Sequence, residues 1–597
     1  MLKNALKNLA PNIAVATKRF PIPALCSLLF CLMTTVPIFK ALWPESRIHS
    51  ALLSLLFCGC FWFIALKLYA ESHSWGIKRY YAIGTAGFAL LAWLFGQSHD
   101  PLSRLGFAGS ALFLSIFIAP FLNKRATTMQ IWTYNYRLWI HILFTILAAV
   151  VLYVGILAIS ASIYSLFGLE TSAVYLYGFF VIATFFSPIL AMTGIPVNFH
   201  EEERECPKDI RIILPYIAIP LLCVYAIILY VYTAQILVNW NLPKGGVAYM
   251  VSAFGCIGII AYLASYPLHQ NPGIINLFAR YFFKILFVPL ALLAVSIGQR
   301  IDEYGITEQR YTIVLCLIWL VLSAVTTLIQ SRDKAPKIIF SSIVFLLLAA
   351  SFGPWGASNA SANSQLHRLR AILEKNQMLV HGTLQKPTET PSQQDRRNIS
   401  SIVDYMVDIN RLDLMRPWFA NQPNAYINRK KEKSNSQKIV EDMGINYINR
   451  YERLDEIDGA ITFTFHYSGE KTVRDISGYD YIVTNSYSPS VTSNTETIIG
   501  NDRFKLAIRL DPSTNMYSVR LVDGKDPVSF DLADVIKQLD KMKIENNNSA
   551  QKEFIVEKES SEMAVQLIVD SIYGKYEKNS DKPIISSFTT TMLVRKK

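Results

Sequence analysis

The densest group of residues able to do chemistry lies in one short stretch, QRIDEYGITEQRY, from Gln299 to Tyr311. Arg300, Asp302, Glu303, Tyr304, Glu308 and Arg310 crowd a single turn, and Gly305 supplies the backbone freedom for a tight bend. Two cations and three carboxylates at a bilayer surface could hold a lipid phosphate or a metal ion. The same residues could equally pair among themselves and pin two helices. A second polar group follows in FGPWGASNASANSQLHRLR, Phe352 to Arg370. Gly353-Pro354 ends the preceding run, because proline cannot continue a helix. Trp355 is expected at the interface, ahead of a basic helix carrying His367, Arg368 and Arg370. Folded back, that helix meets anionic headgroups or the 299–311 turn; otherwise it is an exposed connector.

Other signals are weaker. The sequence has no phosphate-binding G-x-x-x-x-G-K-[ST], no G-x-S-x-G elbow and no C-x-x-C pair. His200-Glu201 begins an H-E-x-x-H match, but Arg204 stands where the second histidine belongs. A metal could still gather on His200, Glu201, Glu202, Glu203, Glu205 and Cys206, although like charges on a solvated loop explain them as well. Cys58 and Cys60 read as packing residues within a helix, and His141 as an interfacial ring. Lys67 and Lys284 lie near the ends of apolar runs and can snorkel. Neither Asp nor Glu falls in the middle of any apolar run, which lowers an ion-coupled transport reading. No metal and no cofactor is expected.

The elements that must position these residues follow from composition. Over 597 residues the chain is 52% hydrophobic and only 17% charged, which excludes a disordered chain. Residues 1–353 carry 24 Lys/Arg against 13 Asp/Glu, a net of +11, while 354–597 is nearly neutral. The basic excess sits between apolar runs, so it speaks for membrane topology rather than nucleic-acid binding. About eleven apolar runs of spanning length are expected, at 21–39, 51–69, 80–96, 105–122, 139–165, 172–195, 211–237, 247–267, 281–298, 311–330 and 338–353. With the N-terminus cytoplasmic, inside segments hold sixteen Lys/Arg and outside loops six. An odd number of spans then sets residues 354–597 on the periplasmic face of a bacterial inner membrane. Residues 1–20 read as an amphipathic segment on the inner leaflet, with Leu2, Leu6, Leu9 and Ile13 at helical spacing beside Lys3 and Lys7.

Beyond Pro354 the residues turn polar. Residues 354–450 read as a helical subdomain, with apolar spacing in Gln365–Val380, Asn398–Trp418 and Ile439–Tyr447. Residues 451–597 read as an α+β domain. Its strands are expected at Ile461–Tyr467, Phe504–Leu510, Met516–Val522, Glu553–Val556 and 584–594, and its helix at Asp531–Met542. All eight cysteines precede residue 354, so no disulfide staples this half. The fold class is thus a polytopic α-helical membrane bundle followed by an α+β extramembrane domain.

RIDEYGITEQRY ahead of a span with Trp319, and FGPW followed by Ser364-Gln365 and Arg368, resemble a bacterial membrane family known as domain of unknown function 4153. ISGYDYIV (Ile476–Val483) and SIYGKY (Ser571–Tyr576) resemble elements of its longer members. The resemblance is strongest over residues 200–385. It implies a multi-pass inner-membrane protein and carries over no catalytic residue. The functional expectation is a non-enzymatic binding, sensing or scaffold protein of the envelope. Its partners would be membrane lipid and an envelope protein or lipid-linked component, with no nucleic acid. The alternatives are a transporter or flippase, suggested by Pro188, Pro215, Pro220 and Pro289, and an enzyme on a lipid-linked substrate. The enzyme would need Asp302 and Glu303, because the first outer loop offers only Glu45.

Overall fold

A computed structural model describes residues 2–36, 47–98, 101–124, 126–202, 206–239, 246–329, 335–387, 389–419, 434–448, 462–466, 476–487, 497–500, 504–511, 514–545, 554–576 and 583–597. Trp43, Glu45, Trp240, Lys244, Arg332, Lys334 and residues 203–205 lie outside them. The chain divides into two compact units, Met1–Ile448 and Asn449–Lys597.

The first unit is helical. Its apolar part comprises α1 (Leu2–Arg19), α2 (Pro21–Thr35), α3 (Arg47–Ser72), α4 (Ile77–Gly96), α5 (Pro101–Ser115), α6 (Thr128–Phe167), α7 (Ser172–Thr193), α8 (Lys208–Asn239), α9 (Val247–Ala264), α10 (Ile274–Tyr304), α11 (Glu308–Ile329) and α12 (Ala335–Ser351). Each of the eleven apolar runs coincides with a helix. Seven of these helices are long and apolar enough to cross a membrane, namely α3 and α6 to α11, or eight if the bent α1–α2 pair counts as one. By length and composition among the described residues, seven or eight spans are supported, fewer than the eleven expected. α2 and α5 have 15 residues and α12 has 17, which at about 1.5 Å per residue falls short of a hydrocarbon core of about 30 Å. α4 has 20 residues, but Lys78, Arg79 and three glycines dilute it. α1 meets α2 at 103°, so the two do not form one straight rod.

Burial varies sharply among the long helices. In its most apolar window α3 is 61% buried and α6 only 6%. α6 exposes Leu143, Ile146, Leu147, Val150, Val151 and Val154. A helix uncovered on its apolar face needs lipid as its solvent. α7 and α8 each contain a π turn, Ile182–Phe186 just before Pro188 and Leu214–Ala218 around Pro215. Proline lacks the N–H for the i−4 bond and crowds that carbonyl, which widens the helix.

Polar contacts gather the helix ends into two groups. At one, Arg19 pairs with Glu71 at 2.6 Å and donates to the Ile195 and Pro196 carbonyls. Lys124 donates to the Ser72 carbonyl, Lys337 to that of Lys124, and Arg137 pairs with Glu201. At the other, Arg47 donates to the Gly96 carbonyl, Phe95 packs on Phe352, and Phe107 on Tyr311. Beyond α12 the chain forms α13 (Ala357–Lys375), a short β1 (Leu379–Val380) and β2 (Thr383–Leu384) ladder, α14 (Gln393–Asp408), a 3-10 turn (Leu412–Trp418) and α15 (Ser434–Asp442). These share a core of Leu369, Leu373, Ile402, Met406 and Val440.

The second unit has two antiparallel sheets around one core. Strands β3 (Thr462–His466), β4 (Tyr481–Tyr487), β9 (Phe554–Glu559), β10 (Met563–Tyr576) and β11 (Pro583–Lys596) form one, ordered β3-β10-β11-β4 with β9 also on β10. Strands β5 (Thr497–Gly500), β6 (Lys505–Asp511), β7 (Met516–Leu521) and β8 (Val528–Asp531) form the other, in sequence order. α16 (Leu532–Glu545) follows β8 and adds Val535, Ile536 and Leu539 to the core.

Candidate functional site

The sequence offers three residues, Gly305, Ile306 and Thr307, to join α10 to α11. The last carbonyls of α10 have no partner further along their own helix. Gly305 takes φ 70° and ψ 179°, a region held without strain only by glycine, and its N–H closes on the Ile301 carbonyl. The chain therefore leaves α10 sharply and enters α11 within one turn.

α13 folds back over this turn. Ser364 and Gln365 lie on the face it presents. The Ile306 N–H donates to the Ser364 hydroxyl at 2.9 Å. The Gln365 amide donates to the Tyr304 and Ile306 carbonyls at 2.9 and 3.0 Å, and Gln365 is buried. From α14 the Tyr405 hydroxyl accepts the Glu308 N–H at 3.3 Å. Tyr311 donates to the Trp355 carbonyl at 2.8 Å, tying α11 to the start of α13. Asn359 donates to the Gly353 carbonyl at 2.7 Å and accepts from Arg411 at 2.8 Å, so the bend after α12 is held too.

Two arginines complete the cap. Arg310 donates to the carbonyls of Tyr304 and Gly305, at 3.2 and 2.7 Å. Arg368 donates to the same Tyr304 carbonyl at 3.2 Å and to Asn398 at 3.3 Å. Both guanidinium groups lie over the Tyr304 ring, 5.3 and 5.8 Å from its centre. Cations at the negative end of a 31-residue helix are favoured by its dipole. Partial burial lowers the pKa of Arg368, and the charges of Tyr304 and Glu303 partly offset this. A guanidinium still stays protonated in water of any physiological pH.

Of the ten residues expected at this site, Tyr304, Glu308, Arg310, Trp355 and Arg368 converge on the turn. Arg300 lies close enough to oppose the charge of Arg310. Asp302 and Glu303 are exposed on the last turn of α10. His367 is exposed, and Arg370 turns away to pair with Glu374 at 2.8 Å. Ser364, Gln365, Tyr405 and Asn398 are the site residues not on the expected list. Ser364 and Gln365 carried only the family resemblance, with no role attached, while Asn398 and Tyr405 are polar positions on the apolar-spaced helix 398–418. Asp395, beside them, donates its N–H to the Ser392 side chain that caps α14, and its carboxylate accepts from Lys375 and Asn376 at 3.0 and 3.2 Å. Among the described residues no three His, Cys, Asp or Glu side chains gather as a metal would require.

Apolar helices that must face lipid, capped at one end by a folded-back polar helix, define a polytopic membrane protein. The family described as a domain of unknown function (DUF4153) matches residues 24–381, and this chain belongs to it. The match ends just beyond α13, so it includes both sides of the clamp apart from α14. One relative, the uncharacterized protein PM1469 of Pasteurella multocida, is 29% identical over 197 residues. That stretch is 32% of this chain and 33% of the relative, so this chain matches about a third of the relative's length. No solved structure matches the chain.

Proposed function

We propose that this protein is a non-enzymatic component of the bacterial cell envelope, lodged in the inner membrane. It binds membrane lipid and presents its C-terminal unit to a periplasmic partner. The observation that carries this reading is the use to which the 299–311 cluster is put. Arg310 and Arg368 are spent on the Tyr304 carbonyl, and Gln365 on the turn behind it. Asp302 and Glu303 stand outward in solvent rather than facing each other across a substrate cleft. Such a cluster fixes helices. Its exposed rim, with Trp355, His367 and Arg370, suits contact with anionic headgroups.

The N-terminus is cytoplasmic in this reading. Arg19, Lys124, Arg137 and Lys337 share one group of helix ends, where an excess of Lys and Arg belongs on the inside. Eleven alternating crossings, the shorter helices included, are consistent with the contacts between those ends. A second reading, as a flippase, draws on the π turns of α7 and α8, which are frequent where helices bend around a substrate.

Comparative mass spectrometry of envelope lipids and glycans, with and without the gene, separates these readings. The proposal expects no accumulated intermediate and a cross-linked envelope partner that is lost without the C-terminal unit. An intermediate cleared by the wild type but not by Asp302→Asn/Glu303→Gln would overturn it in favour of catalysis or flipping. A C-terminal alkaline phosphatase fusion should be active and a fluorescent-protein fusion dark; the reverse would refute the orientation.

A further inference from the structure

Between α6, α9, α11 and α12 the helices leave a cavity of about 590 Å³. That lies within the range of small-ligand pockets, about 300–1,000 Å³. Its wall is almost wholly apolar, and three tryptophans, Trp132, Trp139 and Trp319, contribute to it. Two of them have already satisfied their indole N–H groups within the protein. Trp132 donates to the Ala264 carbonyl at 3.0 Å and Trp319 to that of Ile339 at 3.1 Å. The lining residue Asn135 differs. It is 7% exposed, and its side-chain oxygen has no hydrogen-bond donor among the described residues. A buried carboxamide oxygen left unpaired is costly in apolar surroundings, which makes the position a demand for a donor from elsewhere.

The way in is also visible. Trp139 and Ile260 line the cavity and are 48% and 64% exposed. They lie on α6 and α9, two of the helices apolar enough to span a bilayer. The mouth therefore opens sideways onto the surface that faces lipid.

We propose that this cavity is a binding site for a bilayer lipid whose chain carries a hydroxyl, entering between Trp139 and Ile260 and donating its O–H to Asn135. The occupant comes from the membrane, because the mouth faces lipid and the described wall residues include no charged side chain. The site is separate from the turn at Gly305 and does not depend on the reading of that turn.

The test uses the full chain reconstituted in phosphatidylcholine nanodiscs. The probes are hexadecan-1-ol with a photoactivatable diazirine at the chain end, and its methyl ether, which keeps the chain and lacks the donor. In the wild type, the alcohol should label peptides of α6 and α12 about five- to tenfold more than the ether, the preference that one hydrogen bond confers. Asn135→Leu should level the two probes. Ile343→Trp, which fills the cavity, should lower both, and labelling of α2 serves as the control for general lipid contact. Equal labelling by both probes in the wild type overturns the proposal without relying on any variant. So does a preference for the alcohol that survives Asn135→Leu, or labelling spread evenly over all lipid-facing helices.

Discussion

Gln365 and Arg370 lie five residues apart on α13 and should behave oppositely. Gln365 is buried and serves two carbonyls of the turn, whereas Arg370 pairs with Glu374 in the open. Gln365→Leu leaves the Ile306 carbonyl without its donor, a cost of about 2 kcal/mol. Hydrogen exchange at the Ile306 and Glu308 amides should then quicken about 30-fold. Arg370→Gln should leave those amides unchanged, since exposed pairs contribute about 0–1 kcal/mol. Gly305→Ala should act like Gln365→Leu by another route. The added methyl would come within 2.8 Å of the Gln365 amide nitrogen, at a φ that side chains rarely adopt. Asp395 supplies a pH dependence. Burial raises its pKa, but hydrogen bonds from Lys375, Asn376 and Ser392 outweigh burial and hold the carboxyl below its usual value. A depressed carboxylate pKa adds stability above the unfolded value, about 3.9, that is lost as pH falls through the folded one. Protease resistance of the α13–α14 pair should therefore drop below about pH 4, and Asp395→Asn should flatten that drop. The sequence made Arg310 and Arg368 legible, because clustered charge at a helix end draws the eye. Gln365 was legible only as part of a family resemblance and Tyr405 not at all, because a polar residue's use depends on the helix packed against it.

At the scale of elements, period and length decided what could be read. Apolar runs located every helix from α2 to α12, because burial in lipid asks only for a continuous apolar stretch. How far each run crosses a bilayer depends on where its helix ends, and single residues such as Lys78 and Arg79 set that. β10 escaped prediction although it is central to its sheet. It is buried on both faces from Met563 to Val569, so its sequence lacks alternation, and register shifts at Val569/Ser571 and Tyr573/Gly574 interrupt it further. The packing of α9 against α11 can be checked directly. Cys256 and Cys316 bring their sulfur atoms within 3.7 Å of each other. A membrane-permeable oxidant should join them in an intramolecular disulfide, identified by mass spectrometry of the digested chain. Failure to couple while the exposed Cys223 is readily alkylated would contradict the contact between these two helices.

For the whole molecule the question is what each unit needs from its surroundings. The first unit leaves α6, α7 and α8 largely uncovered and depends on lipid. The second has its own core, in which Leu506, Val519, Leu532, Met563, Leu567 and Met592 are fully buried, and none of its members comes from the first unit. Its size, 149 residues from Asn449 to Lys597, is ample for independent stability. It has no cysteine, and among its described residues there is no long apolar helix to stabilise it otherwise. Expressed alone in water, residues 449–597 should be soluble and should melt in one cooperative transition by circular dichroism. Leu567→Ala, at the middle of β10, should lower that stability by about 2–5 kcal/mol, because the neighbouring strands cannot collapse onto the space. A fragment that melts without cooperativity would mean that the second unit borrows its order from the first. In that case the C-terminal unit could not act as a separate presenter of a binding surface, and the proposed division of labour between a lipid-embedded anchor and a module outside the membrane would fail with it.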